Sequence, residues 1–241
     1  MSVDQESTPE MKVVLLGESG VGKSSIIKQF TTHKFEPDID PSISSKFTSK
    51  EMEIKEINRK IKFNLWDTAG QEKYRSLVKI FYKDARVIIL VYNIESQTSF
   101  DNLKEYWYEE VKNNSLSNVI LAVVGNKIDL YERCQVNENE ARQWADSINA
   151  IFQLTSAKSD SGIDLLFENI AKKFFDPNYN YKKSDEEAKL NYELKKKEQE
   201  EKKNKGDEED GDDNLEIPKI ENITLDAKDL EPDGKKKKMC C

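Results

Sequence analysis

Three near-continuous apolar runs constrain the fold of this chain most strongly. They are MKVVLLG at 11–17, RVIILVYN at 86–93 and NVILAVVGN at 118–126. Strands that are buried on both faces of a parallel sheet read this way, because no position along them faces water. Weaker strands are expected at 47–54, 61–67 and 151–156, with a turn at Asn58 between the first two.

Amphipathic segments alternate with these strands. The segments that begin near Thr98 and Asn137 each carry an acidic residue three positions later, Asp101 and Glu140, which is the spacing of a capping box at a helix start. A last helix places apolar residues of 163–174 on one face. The alternation predicts an α/β fold: a doubly wound, mostly parallel six-stranded sheet with one antiparallel edge strand and about five helices.

The composition of the chain changes near Asp176. Beyond it acidic residues outnumber basic ones and apolar residues are few, so this segment buries too little surface to offset the entropy of ordering. The parts we expect are a flexible extension (1–10), a globular domain (11–175), a charged, largely disordered tail (176–239) and a C-terminal cysteine pair (240–241). Acid–base pairs four residues apart leave a solvated helix at 184–205 open as an alternative.

The composition also argues against several classes of protein. The first ten residues have no apolar core, so we expect neither a signal peptide nor a membrane anchor there. No apolar run reaches the roughly 18 residues of a spanning helix, and a net charge of −8 argues against nucleic-acid binding. We expect a protein that is made in the cytosol and stays on that side of the membrane.

The octapeptide GESGVGKS, residues 17–24, fits the pattern G-x-x-x-x-G-K-S without a mismatch. It lies between an apolar strand and a helix, the context that a phosphate-binding loop requires. We expect Lys23 to reach the β- and γ-phosphates of a nucleotide, and Ser24 to ligate Mg²⁺. The nucleotide-binding residues expected in this segment are Ser19, Gly20, Val21, Gly22, Lys23, Ser24 and Ser25.

Two later motifs predict guanine as the base. NKID, residues 126–129, follows a buried strand, and the carboxylate of Asp129 can accept both the ring N–H and the exocyclic amine of guanine. SAK, residues 156–158, also follows a strand, so the base can be held from two sides. The residues expected at the base are Asn126, Lys127, Asp129, Ser156, Ala157 and Lys158.

The segment WDTAGQE, residues 66–72, ends the weaker strand that begins at 61. Asp67 can hold Mg²⁺ through water, the Gly70 amide can contact a γ-phosphate, and Gln71 can orient an attacking water. Gln71 and Lys23 are therefore the candidate catalytic residues of a Mg²⁺-dependent hydrolysis of GTP to GDP and phosphate.

With these motifs the chain resembles the Ras superfamily of small GTPases, and the Rab family most closely. The resemblance covers residues 10–175 and the last two residues, and it includes the Rab-like stretches WDTAGQEKYRSL, FYKDA and LVYNIE. It implies a P-loop GTPase domain that binds GTP and GDP. It further implies that Phe35 packs on the guanine ring and that Phe47, Trp66 and Phe81 form an aromatic triad read by effectors; plain core packing of the triad is the alternative.

The chain departs from the Rab pattern at three places. It reads Ser42-Ile43-Ser44 for T-I-G, Lys83-Asp84-Ala85 for R-G-A, and Asn93 for an aspartate. Ser42 stands where the family has the threonine that closes on Mg²⁺ and the γ-phosphate. Serine keeps the ligand oxygen and loses the rotamer restriction of β-branching. We therefore expect the loop to close on GTP, with a shallower free-energy minimum for the closed conformation.

The terminal sequence KKKKMCC resembles the Rab signal for two geranylgeranyl groups, on Cys240 and Cys241. Two lipid chains make membrane attachment stable where one is marginal, and the four lysines favour an anionic leaflet. A solvated lysine run with two unmodified thiols is the alternative.

These observations predict a Rab-like small GTPase that hydrolyses GTP slowly and acts as a membrane-tethered switch in vesicle trafficking. It would lie on the cytosolic face of an endomembrane compartment and cycle with the cytosol. The resemblance implies an exchange factor, a GTPase-activating protein, a GDP-dissociation inhibitor, prenylation machinery and effectors as partners of a monomer. A nucleotide-binding scaffold with little hydrolysis, and another P-loop enzyme such as a small-molecule kinase, are the alternatives.

Overall fold

A single six-stranded sheet organises the chain in the computed structural model, which describes residues 8–36, 46–68, 84–114 and 118–182. The strands are β1 (Glu10–Leu16), β2 (Lys46–Ile54), β3 (Arg59–Asp67), β4 (Val87–Asn93), β5 (Ile120–Asn126) and β6 (Ile151–Thr155). The helices are α1 (Lys23–Thr32), α2 (Gln97–Asn102), α3 (Glu109–Asn114), α4 (Glu138–Ser147) and α5 (Ile163–Phe175). A π-helical segment, Leu103–Tyr108, joins α2 to α3, and 3-10 turns lie at Lys55–Ile57 and Ile128–Arg133.

The sheet has the order β2-β3-β1-β4-β5-β6. All neighbouring pairs are parallel except β2 and β3, which are antiparallel. Asn58 takes a left-handed conformation at the end of the turn between these two strands, with φ of 47°. The α/β sheet with one antiparallel edge strand and five helices is therefore confirmed.

Burial explains which strands the sequence marked most clearly. Six of the seven residues of β4 are buried, and Val13–Leu16 of β1 are fully buried. The strand β3 is buried only at alternate positions, from Ile61 to Asp67, so its apolar signal is weaker.

The helix starts follow the sequence at one of the two predicted capping boxes. The Asn137 side chain caps α4 by accepting a hydrogen bond from the Glu140 amide at 3.0 Å. The prediction that Thr98 caps the other helix is wrong. The Ser96 hydroxyl accepts from the Ser99 amide at 3.1 Å, and helix α2 begins at Gln97. Ser96 lies two residues before Thr98, so a second hydroxyl competes with that of Thr98 for the cap.

Helix α5 packs its apolar face against the sheet and α1. Its residues Ile163, Leu166, Phe167 and Ile170 are all buried. The ring of Phe167 stacks on that of Phe30 at 3.6 Å between centroids and meets Phe63 edge-on at 5.3 Å. These contacts fix α1, and with it the loop that precedes α1, against the sheet.

The chain divides into two units, of which the first, Met1–Pro177 with Lys235–Cys241, contains every strand and helix named above. The second unit is Asn178–Gly234, and within its described part the Asn180 side chain accepts a hydrogen bond from the Lys182 amide at 3.1 Å. In the described ranges, no helix has the length and apolarity that crossing a membrane requires.

Candidate functional site

The carboxyl ends of the parallel strands gather the predicted site residues at one edge of the sheet. In doubly wound sheets ligands bind outside these strand ends. The segment 17–24 follows β1, Asp67 ends β3, and Asn126 and Thr155 end β5 and β6.

The loop between β1 and α1 depends on glycine at two positions with opposite surroundings. Gly22 has φ of 101°, and a Cβ there would lie 2.2 Å from Nδ2 of Asn126. Gly20 has φ of 78°, and a Cβ there would meet no described atom within 4 Å. The backbone therefore curls tightly against β5 at Gly22 and faces open space at Gly20. Between them Val21 is buried, whereas Ser19 is exposed.

Lys23 is the charged centre of this loop. Its side chain is buried, and Nζ donates hydrogen bonds to the main-chain oxygens of Gly17 at 2.9 Å and Glu18 at 2.8 Å. Burial lowers the pKa of Lys23 to about 8, and the carboxylates of Asp67 and Glu18 oppose that shift. A desolvated ammonium of this kind gains most from an anionic ligand.

Ser24 and Asp67 bring two hard oxygen donors together beside Lys23. The Ser24 hydroxyl donates to Oδ2 of Asp67 at 2.5 Å. The parallel register that pairs Leu15 with Asp67 places the carboxylate next to the loop. The following residue, Thr68, is buried and donates from Oγ1 to the Leu15 oxygen at 2.6 Å, so β3 is fastened to β1 at this end. A hydroxyl and a carboxylate held together suit Mg²⁺.

Asn126 joins the loop on β1 to the neighbouring strand ends. Its Nδ2 donates to the Val21 oxygen at 2.9 Å, and its Oδ1 accepts from Thr155 Oγ1 at 3.1 Å. Asn126 and Thr155 are both buried. Sequence reasoning missed Thr155; its place directly before SAK, at the end of a strand, was the available signal.

The side chain of Asp129, in the NKID motif, is oriented by a residue of the SAK motif. The Ser156 hydroxyl donates to Oδ1 of Asp129 at 2.6 Å and accepts from the Ser159 amide at 3.1 Å. Lys127 has φ of 72°, which turns the chain between Asn126 and Asp129. The NKID and SAK motifs are thus brought together. Ala157 is buried and Lys158 is exposed.

The remaining predicted residues divide between described and undescribed parts of the chain. Phe35 is exposed and Ser25 is partly buried. Phe47 is 55% exposed and Trp66 is half-buried, and their ring centroids lie 5.3 Å apart. The predicted residues that lie outside the described residues are Ser42, Gly70, Gln71, Phe81, Cys240 and Cys241.

Comparison with known proteins matches this arrangement to one family. The model of the Ras family matches residues 12–176. Human Rab-22A is 42% identical over 164 residues, which are 68% of this chain and 83% of that protein. Human Rab-31 is 40% identical over 173 residues, 71% of this chain and 87% of that protein. RabJ of Dictyostelium discoideum is 38% identical over 183 residues, 75% and 70% of the two chains.

The chain is a Rab protein of the Ras family. As a Rab protein it is a small GTPase that binds GTP and GDP, hydrolyses GTP to GDP and acts in vesicle trafficking. Association with endomembranes, regulators and effectors follows in general terms from the same relatives.

Two departures from the Rab pattern lie in the described residues. Asp84, at the position of the glycine in R-G-A, has φ of 61°. Aspartate is one of the few residues that visit this conformation at modest cost, so the backbone can keep a glycine-like turn. Asn93 uses its Oδ1 to accept a hydrogen bond from the Glu95 amide at 3.1 Å, a turn contact that an aspartate would also make.

Proposed function

We propose that this Rab protein is a membrane-tethered switch with slow intrinsic hydrolysis. One observation carries the proposal: the Asn126 amide bonds to the main chain of Val21. It fastens the predicted base-binding segments to the predicted phosphate loop, so that one guanine nucleotide can engage both.

The phosphate end of the site supports a magnesium-dependent reaction. Ser24 and Asp67 would hold the Mg²⁺, with Ser42 completing the set in the GTP state, and the bound ion would draw charge from the phosphate oxygens. Lys23 would stabilise negative charge that develops on the β- and γ-phosphates. Ser24 Oγ and Asp67 Oδ2 lie 2.5 Å apart. Both are hard oxygen donors of the kind that Mg²⁺ prefers, which supports this assignment.

The base end supports selection of guanine. Ser156 would hold the Asp129 carboxylate so that it accepts the two N–H donors of guanine, with Ala157 and Lys158 closing the same side. Phe35 would pack on the ring. A base that lacks those donors would leave the carboxylate without its partners, which penalises binding.

Hydrolysis would be slow without a partner. Gln71 would orient the attacking water, and neither GESGVGKS nor WDTAGQE contains an arginine that could neutralise the transition state from within the loop. An activating protein would then supply the missing cation. Loss of the γ-phosphate would release the segments around Ser42 and Gly70, and the exposed Phe47, together with the half-buried Trp66, would report that change to effectors.

Single-turnover hydrolysis of loaded GTP tests this proposal. Slow release of phosphate, slower still in Gln71→Leu, is expected. Equal hydrolysis rates in the two proteins would favour the nucleotide-binding scaffold. Fast hydrolysis by the wild type without an activating protein would contradict the need for a partner. Preference for ATP over GTP in direct binding would overturn the guanine assignment and favour a different P-loop enzyme.

Membrane tethering would depend on Cys240 and Cys241 carrying geranylgeranyl groups. The lipids would hold the protein on the cytosolic face, and a dissociation inhibitor would return the GDP form to the cytosol. Intact mass of the membrane-bound protein from a eukaryotic host measures this directly. Two added lipids are expected, and a wholly unmodified membrane-bound pool would end the proposal.

A further inference from the structure

A buried tryptophan contacts the second residue of the phosphate loop. Trp107 is 1% exposed, and its indole N–H donates to Oε1 of Glu18 at 3.1 Å. The two residues are 89 positions apart in the chain. A buried indole N–H needs an acceptor, and a carboxylate makes a strong one because the hydrogen bond is charge-assisted.

The backbone around Trp107 is irregular. Trp107 lies within the π-helical segment Leu103–Tyr108, between α2 and α3. Such segments cost hydrogen-bond regularity and occur frequently at functional sites. Here the irregular segment contains the residue that reaches the loop.

Glu18 acts on the lysine of the loop in two ways. Its main-chain oxygen accepts a hydrogen bond from Lys23 Nζ at 2.8 Å. Its carboxylate favours the charged form of Lys23 and so partly opposes the burial that lowers the lysine pKa. A carboxylate beside a phosphate site also competes with the phosphates for the same cation, so its position matters for retention of the ligand.

We propose that Trp107 is a positioning residue for nucleotide retention. By binding the Glu18 carboxylate, its indole N–H keeps that charge from turning toward Lys23 and competing with the phosphates. This inference rests on the proposed role of residues 17–24 as the phosphate loop. Without the indole donor the carboxylate loses this one restraint, and bound GDP leaves faster.

A double-mutant cycle tests the pair through the dissociation rate of a fluorescent GDP analogue in Mg²⁺. Trp107→Phe is expected to speed release about tenfold, the scale of a lost charge-assisted hydrogen bond. In the Glu18→Gln background the same substitution is expected to add less than twofold, because no negative charge remains to compete. A merely structural role of the ring would speed release equally in both backgrounds and would overturn the proposal.

Trp144→Phe is the matched control. Trp144 packs edge-on against Phe100 at 5.6 Å and Tyr108 at 5.8 Å between ring centroids. Its substitution therefore removes an indole that contacts the same irregular segment. Its release rate is expected to stay within twofold of wild type, and a tenfold rise there would contradict the special role of Trp107.

Two outcomes separate this inference from its foundation. If the wild-type protein fails to bind the GDP analogue, the proposed phosphate loop itself is wrong. If it binds and the cycle is additive, only the Trp107–Glu18 role fails. Should Trp107→Phe not fold, two other variants test the proposal. Trp107→His keeps an N–H donor and is expected to change GDP release little, whereas Glu18→Asp shortens the acceptor and is expected to speed release. Unchanged release in Glu18→Asp would overturn the proposal.

Discussion

The Ser156 hydroxyl donates a hydrogen bond to the Asp129 carboxylate at 2.6 Å, across 27 positions of the chain. The same oxygen accepts from the Ser159 amide, so its direction is fixed. The Asp129 carboxylate, which is proposed to recognise the base, is thus oriented by the Ser156 hydroxyl, and that hydroxyl is in turn oriented by the Ser159 amide.

Replacing Asp129 with asparagine is expected to change which base binds. The amide of Asp129→Asn offers a donor where guanine needs an acceptor, so affinity for GDP should fall by about 100-fold or more. Xanthine carries a carbonyl in place of the exocyclic amine, and xanthosine diphosphate should bind the variant better than GDP does. Competition binding of the two nucleotides measures this, with Asp160→Asn as control; an unchanged preference for GDP would contradict the assignment of Asp129.

Removing the Ser24 hydroxyl is expected to uncouple nucleotide release from magnesium. In the wild type, chelating Mg²⁺ should speed GDP release by about tenfold or more, because hard oxygen ligands and phosphates share the ion. In Ser24→Ala the ratio of release rates without and with Mg²⁺ should fall toward one. Thr31→Ala removes a hydroxyl from the same helix, where it bonds to Ile27, and should keep the wild-type ratio. Equal ratios in Ser24→Ala and Thr31→Ala would rule out Ser24 as a ligand.

Alanine substitutions at the two loop glycines should lower the free energy of unfolding by different amounts. Gly22→Ala combines a positive φ with a Cβ 2.2 Å from the Asn126 amide, so the Asn126–Val21 hydrogen bond must break. We expect a loss of about 3 kcal/mol in the free energy of unfolding. Gly20→Ala has open space around the Cβ and should lose about 1–2 kcal/mol. Urea unfolding of the nucleotide-free proteins measures both, and equal losses would show that the contact with Asn126 does not matter.

Tyr92 should make the folded protein sensitive to alkaline pH. Burial raises the pKa of its buried phenol, with Glu138 adding to the shift and Arg142 opposing it. The folded state therefore keeps a proton that the unfolded state loses above about pH 10, so the contribution to stability is complete below pH 10 and falls as the pH rises. Relative to Tyr92→Phe, the wild type should lose about 1 kcal/mol of unfolding free energy between pH 10 and 11. Parallel pH curves for the two proteins would contradict this.

Much of the fold was predictable because local signals agreed with it. The apolar runs of β1, β4 and β5 reflect burial on both faces, and Asn137 caps its helix as its spacing indicated. The cap at Ser96 was not predictable in the same way, because Ser96 and Thr98 are both acceptable caps and the surrounding turn decides between them.

The candidate site was predictable where its chemistry is local and not where it depends on distant contacts. GESGVGKS, NKID and SAK are short motifs at strand ends, so topology alone brings them to one edge. The bond from Trp107 to Glu18 depends on how an irregular helix packs across the loop. Nothing near either residue in the sequence indicates that contact.

The Asn126 bridge has a consequence for affinity that the single contacts do not show. Since one side chain bonds to both Val21 and Thr155, the base-binding and phosphate-binding halves are held at a fixed separation before any ligand arrives. A nucleotide then behaves as a bivalent ligand: once its base or its phosphates have bound, the other part binds at a high effective concentration. Guanosine and pyrophosphate supplied separately should each bind weakly, and the covalent link between them should make the whole nucleotide bind far more tightly.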